Sequence, residues 1–187
     1  MLQKVLLRHV MILVAIFAAA SAAHPHVFAD VTVNAAFDHA GFVGVRNHWV
    51  FDEMYSAAMS GTTDSEEIKK AVLGPIASSN YYNYVLVETS FLQAKDIRNF
   101  KAEMKNGKLV LDFTVAFSVP AKSDYTMITI VVSDPTNYIQ VTTDMDKADV
   151  EAPDEMDVDF FADEIKGLTL FRAFTSNTQG LYLRFKK

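Results

Sequence analysis

Two histidines flank a proline in "AAHPHVFADV", residues 22–31, and two more potential metal ligands follow in the next predicted strand. Imidazole nitrogens together with a carboxylate suit a borderline divalent ion such as zinc, nickel or cobalt. The spacing therefore predicts a metal site whose ligands are His24, His26, His48 and Asp52.

The proline limits how a chain that starts at His24 can bind metal. The common amino-terminal copper or nickel chelate uses the amide nitrogen of residue two, and Pro25 has no amide hydrogen to lose. Two modes of binding remain. One is a tetrahedral or octahedral site completed by Asp52, and the other is an amine-plus-imidazole chelate from His24 alone.

Two alternating segments place these residues on one face. The segments "VFADVTVNAAF" (27–37) and "FVGVRNHWVF" (42–51) have the period of two expected of half-buried strands. Their odd positions, from Val43 to Phe51 in the second segment, face the predicted core. Because side chains alternate along a strand, the four candidate ligands lie on the opposite face if the first strand begins before residue 27.

The pairing of the two strands decides whether these side chains meet. A hairpin with Phe37 near Val43 keeps both core faces together and sets Thr32 opposite His48. In that register His26 is a diagonal neighbour of Asp52, at about 7–8 Å between backbones. The alternative interpretation is that "HPH" is a solvated arm and that His48 is a surface residue. His39, in the turn, is expected to face solvent.

The first 23 residues are typical of a secretory signal peptide. Lys4 and Arg8 precede the apolar run "MILVAIFAAA", and small residues follow at 21–23. The run is too short for a membrane span, which needs about 20 apolar residues. Cleavage after Ala22 or after Ala23 fits equally well, so "HPH" lies at the start of the mature chain. We expect a periplasmic protein with no lipid anchor.

Composition indicates one exported domain over residues 24–187, which is 164 residues. The chain has no Cys, which excludes disulfides and thiolate metal sites. Its net charge is −6, or −8 once Lys4 and Arg8 are removed, and an acidic surface repels nucleic acid phosphates. The 14 Phe and 7 Tyr residues are typical of a packed β-rich core.

The remaining patterns predict a mainly β or α+β fold. Asn106-Gly107 between two alternating segments predicts a hairpin, and a helical insertion is expected at about residues 53–80, where Met54 and Met59 have the spacing of core residues. The acidic stretch 144–164 is interpreted as a loop with a short helix, and "LTLFRAF" as a strand. Eight or nine strands then form a β-sandwich-like antiparallel domain.

Three motifs resemble a bacterial family of exported domains: "AHPHVFADV", "VRNHWVFDEMYS" and "VVSDPTNYIQV". That family is described as the periplasmic component of an uncharacterised ABC-type transport system, and it often accompanies nickel/cobalt permease-like proteins. Many relatives carry an EF-hand-like segment after the second motif, whereas "GTTDSEEI" here lacks its ligand pattern, so calcium binding is not implied. The resemblance concerns His24, His26, Trp49, Phe51, Asp52, Glu53, Asp134, Pro135 and Thr136.

These observations lead to one functional prediction and one alternative. The first is a non-catalytic accessory protein that binds a divalent transition metal for a membrane metal permease. The alternative is a metal-free β-sandwich interaction module whose amino-terminal arm docks on a partner. No nucleophile–base order, Gly-rich phosphate loop or paired-carboxylate motif occurs in the sequence, so we do not expect an enzyme. The enzymatic interpretation that stays open is oxidative chemistry on a copper chelate of the His24 amine and imidazole, which requires cleavage after Ala23.

Overall fold

The computed structural model of the chain describes residues 27–136, 138–165 and 179–187. In these residues the chain forms eleven strands in two sheets, which confirms the predicted mainly β, sandwich-like class. None of the helices in the described ranges is long and apolar enough to cross a membrane. The predicted signal peptide, His24, His26 and the strand predicted from "LTLFRAF" lie outside the described residues.

The first sheet contains β1 (Val27–Asp38), β2 (Gly41–Phe51), β5 (Ile97–Lys105), β6 (Lys108–Pro120), β8 (Ile139–Thr143) and β9 (Asp149–Glu151). Its strand order is β5-β6-β2-β1-β8, and β9 also pairs with β1. The hairpins β1–β2 and β5–β6 are antiparallel, whereas β8 and β9 run parallel to β1. Parallel strands need a crossover connection, and here the chain reaches β8 from a strand of the other sheet.

The second sheet contains β3 (Asn83–Val87), β4 (Ser90–Phe91), β7 (Thr126–Val132), β10 (Asp157–Glu164) and β11 (Gln179–Lys186). Its order is β10-β11-β7-β3-β4, and every pair is antiparallel. The helical segments are α1 (Glu53–Met59), α2 (Ser65–Val72) and the 3-10 helices Ala77–Tyr82 and Met145–Lys147.

The core lies between the inner faces of the two sheets. Its largest fully buried side chains include Trp49, Phe51 and Phe185, and Phe37 of the first sheet packs edge-on against Phe185 of the second at 5.0 Å between ring centroids. A buried amide pair also joins the sheets, because Asn47 Nδ2 donates to Asn83 Oδ1 at 3.0 Å. This bridge satisfies both polar side chains inside an otherwise apolar interior.

The predicted hairpin register is confirmed over most of β1 and β2 but is wrong at the turn. Thr32 lies opposite His48, as the alternation predicts. Phe37, however, pairs with Phe42, and the register shifts at this end of both ladders. The irregularity turns Phe42 into the core and leaves Val43 half-buried, because an extra residue in one strand reverses the side-chain faces beyond it.

The prediction of a loop with a short helix for the acidic stretch 144–164 is wrong in part. The stretch contains the predicted short helix, as a 3-10 turn, but also β9 and the eight-residue strand β10. The acidic residues of β10 are compatible with a sheet because Arg184 and Lys186 on β11 pair with Asp159 and Asp157. Cross-strand ion pairs of this kind stabilise the pairing of two strands. Arg184 and Lys186 lie far from the two aspartates in the sequence, so no local pattern indicates these ion pairs.

The Asn106-Gly107 hairpin forms as predicted, between β5 and β6. Both turn residues have positive φ, 53° and 78°, as a two-residue turn of this type requires. The helical insertion begins with α1, whose amino-terminal cap is Asp52, and continues with α2, capped by Asp64. The cap of α1 is therefore one of the predicted site residues.

Candidate functional site

The start of β1 is held in place by two distant parts of the chain. The backbone N–H of Val27 donates to the carbonyl of Tyr138 at 3.2 Å, and that of Phe28 donates to Asp52 Oδ2 at 2.8 Å. The N–H of Asp52 donates in return to the carbonyl of Phe28 at 2.9 Å. We call Val27, Phe28, Asp52, Asp134 and Tyr138 the entry clamp. His26 is bonded directly to Val27, so the histidine pair joins the fold at this point.

Asp52 has two structural contacts at this position. While Oδ2 holds Phe28, Oδ1 accepts the N–H of Tyr55 at 2.9 Å and caps α1. Burial raises the pKa of Asp52, but backbone N–H groups of Phe28, Tyr55 and Met54, together with the charge of Lys108, outweigh burial and lower it overall. Asp52 therefore remains a carboxylate near neutral pH. Each oxygen keeps a second lone pair that can face a cation.

Asp134 fixes the other half of the entry clamp. It is only 3% exposed, and its carboxylate accepts the N–H groups of Thr136, Tyr138 and Ile139 at 2.7, 3.0 and 2.8 Å. The Thr136 hydroxyl donates to the same carboxylate at 2.7 Å. These bonds set the backbone of Tyr138, whose carbonyl accepts the N–H of Val27. The buried carboxylate of Asp134, which follows β7 of the second sheet, thus positions the first residue of β1 through the backbone of Tyr138.

Two phenols next to Asp134 are kept neutral. Burial, reinforced by the charge of Asp134, raises the pKa of both Tyr82 and Tyr84 to about 12. Both phenols therefore stay protonated across the physiological pH range.

His48 lies apart from the entry clamp. It precedes Asp52 by four residues, which corresponds to about 13 Å along an extended strand. Its Nδ1 is 2.7 Å from Oδ1 of Asp112 on the neighbouring strand β6, and both side chains are 48% exposed. The face predicted for His48 and Asp52 is the one observed, but the two side chains do not meet.

Among the described residues no group of three or more His, Asp or Glu side chains could hold a metal ion. Of the four predicted ligands, Asp52 lies at the entry clamp and His48 pairs with Asp112, while His24 and His26 lie outside the described residues. His39 is exposed, as expected, and its imidazole contacts Glu155.

Three residues around these sites have contacts or positions that the sequence patterns do not predict. Asp134 and Tyr138 belong to the third motif, yet no pattern in the sequence indicates that this motif meets the first two. Their signal was local: Asp-Pro-Thr is a strong turn sequence in which an Asp side chain binds backbone N–H groups ahead of it. Met54 was expected in the core but is 73% exposed, because it lies in the first turn of α1, beside the capping Asp52.

The fold and the clamped first strand define a class of protein: a mainly β, two-sheet domain whose three sequence motifs converge where the first strand begins. The chain belongs to the family described as protein of unknown function (DUF1007), whose model matches residues 9–162. The match includes all three motifs of the entry clamp and the predicted ligands. No curated protein matches the chain.

Proposed function

We propose that the protein is an exported accessory protein that binds a divalent transition metal, zinc, nickel or cobalt, and exchanges it with a membrane permease. The observation that supports this proposal is the entry clamp. Asp52 and the Tyr138 carbonyl hold the backbone of Val27 and Phe28, directly after the His-Pro-His segment. Anchoring next to the ligands lowers the conformational entropy lost when they bind an ion.

The donor chemistry of the entry clamp is compatible with a cation. Asp52 supplies a carboxylate that stays ionised because its pKa is lowered. The other ligands must come from the imidazoles of His24 and His26, since the described residues contain no sufficient set. His48 is too far along the strand to share this ion. The proposed ligand set is therefore His24, His26 and Asp52, and the role of the permease rests on the family resemblance.

The direct test is titration calorimetry of the mature protein, starting at His24, with zinc, nickel and cobalt. We expect His26→Ala to weaken binding by at least about tenfold, equivalent to about 1.4 kcal/mol. His48→Ala is the matched control, because it removes an imidazole from the same face without touching the entry clamp, and we expect its affinity to match the wild type. If no ion binds more tightly than about 1 mM, the proposal is wrong.

The pH dependence of affinity distinguishes imidazole ligands from carboxylates. Imidazole binds metal only when neutral, and its ordinary pKa is about 6.5. With two imidazoles, affinity falls by up to about a hundredfold per pH unit below about pH 6. A site made of carboxylates, which titrate near pH 4, gives a nearly flat profile from about pH 7 to 5.5. A flat wild-type profile, or an unchanged slope in His26→Ala, contradicts the proposal.

The alternative function, a metal-free docking arm, is favoured by one observation. Two large apolar side chains are exposed at the entry clamp: Phe28, one of its residues, is 47% exposed, and Met54, next to Asp52, is 73% exposed. Such side chains are typical of contact surfaces. Chelator treatment separates the two functions, because a metal-free arm keeps its partner in the presence of a chelator, whereas metal exchange with a permease stops.

A further inference from the structure

β10 forms one edge of the second sheet. It pairs with β11 on one side, and within the described residues no strand pairs with its other side. Seven of its eight residues are exposed, and Val158 is half-buried. Its ladder with β11 runs through all eight residues without a register shift. β10 therefore presents a long, regular row of backbone donors and acceptors, and such an edge is able to accept another strand.

The other sheet edges in the described part of the chain are short or protected. β5 carries a bulge between Arg98 and Lys101, with Asn99 at a φ of 52°, and Lys105 at its end. β4 has two residues and β8 has five. Bulges, lysines and short length are the usual means of preventing strand addition. β10 has no bulge or lysine and is eight residues long. Its protection is negative charge alone, which repels acidic strands but not basic ones.

Side chains of β10 alternate between acidic and apolar character on its two faces. The outer face carries aspartates at 157, 159 and 163, and Phe161 between them stacks on Tyr182 at 5.1 Å between ring centroids. The inner face carries Val158, Phe160 and Ala162 opposite core residues of β11. Phe160 is nevertheless 43% exposed, and among the described residues no further strand lies beside it on the edge side.

The charges of the edge determine what can pair with it. Arg184 and Lys186 lie on the β11 side of Asp159 and Asp157, and both carboxylates stay about half exposed. Asp163 accepts the N–H of Glu164 at 2.8 Å. A second copy of β10 fits poorly: antiparallel registers centred on Phe160 or Phe161 set Asp163 opposite Asp157 or Asp159. Like charges directly opposite destabilise a strand pair.

We propose that β10 accepts an extended segment of a partner protein as an added strand of the second sheet. The segment carries lysine or arginine on alternate positions, facing the outer aspartates, and apolar side chains on the others, covering Phe160. Backbone hydrogen bonds supply affinity in this mode of recognition, and alternate side chains supply specificity. The interaction does not depend on the proposed metal site.

The test uses the mature protein with a chelator present, so that metal binding has no influence. The probe is a blocked nonapeptide of alternating lysine and valine, followed by calorimetry and by the backbone amide NMR shifts of β10. A second peptide with glutamate in place of lysine binds at least about tenfold more weakly, since each of three charge pairs contributes up to about 1 kcal/mol. A third, N-methylated at every residue, loses binding because it lacks backbone donors on both of its edges.

Matched variants locate the site on the protein. Asp163→Lys weakens binding of the lysine peptide by about fivefold. Glu103→Lys makes the same charge change on β5 of the other sheet and leaves the affinity within about twofold of the wild type. The proposal is overturned if the lysine peptide does not bind, if the N-methylated peptide binds equally well, or if both variants weaken binding alike, since that last result indicates non-specific attraction to an acidic protein.

Discussion

The entry clamp and the His48–Asp112 pair use similar side chains in different ways. In the entry clamp, Asp52 accepts the backbone N–H of the distant Phe28, and the buried Asp134 accepts the N–H groups of the turn that follows it. His48 and Asp112 contact each other on the outer face of the first sheet, where both are about half exposed. Carboxylates that satisfy buried backbone donors stabilise the fold, whereas exposed side-chain pairs contribute little.

The largest effect is expected at Asp134. Asp134→Ala leaves three backbone N–H groups and a hydroxyl without their acceptor in a buried turn, which costs about 3–4 kcal/mol of unfolding free energy. Urea denaturation followed by Trp49 fluorescence measures this change. A loss below about 1 kcal/mol means that water replaces the carboxylate. The entry clamp then stabilises the fold no more than the exposed His48–Asp112 pair does.

Asp52 is expected to have the next largest effect. Asp52→Ala removes a helix cap, worth about 1 kcal/mol, and the bond to Phe28, worth about as much again. The matched control is Asp64→Ala, which removes only the cap of α2 and costs about 1 kcal/mol. Equal losses in the two variants, again by urea denaturation, show that the bond to Phe28 does not stabilise the clamp.

Acid titration of stability gives a smaller and more specific signal. Because the pKa of Asp52 is lower in the folded protein than its ordinary value of about 3.9, ionised Asp52 stabilises the fold above about pH 4. This contribution is lost as pH falls through the folded-state pKa. Unfolding free energy between about pH 5 and 2 should therefore fall less steeply in Asp52→Asn than in the wild type. Identical slopes contradict the assigned direction of the pKa shift.

The smallest effect is expected at His48. His48→Ala removes an exposed contact to Asp112, and the unfolding free energy changes by less than about 0.5 kcal/mol. Asp112→Ala is the partner variant and should behave alike. A loss above about 1 kcal/mol in either variant shows that this pair stabilises the first sheet, and the distinction between the two regions disappears.

Much of the first sheet was predictable because its signals are local. Alternation assigned β1, β2 and β6, Asn-Gly placed the β5–β6 turn, and the face of His48 and Asp52 followed from their spacing. The irregularity near Phe42 was not predictable from alternation. It arises where β2 approaches β6 closely at Gly44, at which an added side chain would lie 2.6 Å from the carbonyl oxygen of Val115.

The candidate site was only partly predictable. The sequence identified Asp52 and made it a diagonal neighbour of His26, but no pattern indicated that its carboxylate accepts backbone N–H groups of Phe28 and Tyr55. The predicted union of His48 with Asp52 required that two residues four apart on one strand meet. The extended geometry of the strand keeps them about 13 Å apart.

The sequence by itself determined the periodic elements, the turns and the face on which each side chain lies, because these depend on residues close together in the chain. The tertiary structure alone decided that three separate motifs meet. The chain crosses from β7 in the second sheet to β8 in the first, and this crossover carries Asp134 and Tyr138 to the start of β1. The pairing of β10 with β11 likewise places Arg184 and Lys186 beside the aspartates of β10. Contacts between distant segments depend on how the sheets pair and pack, and no local pattern encodes them.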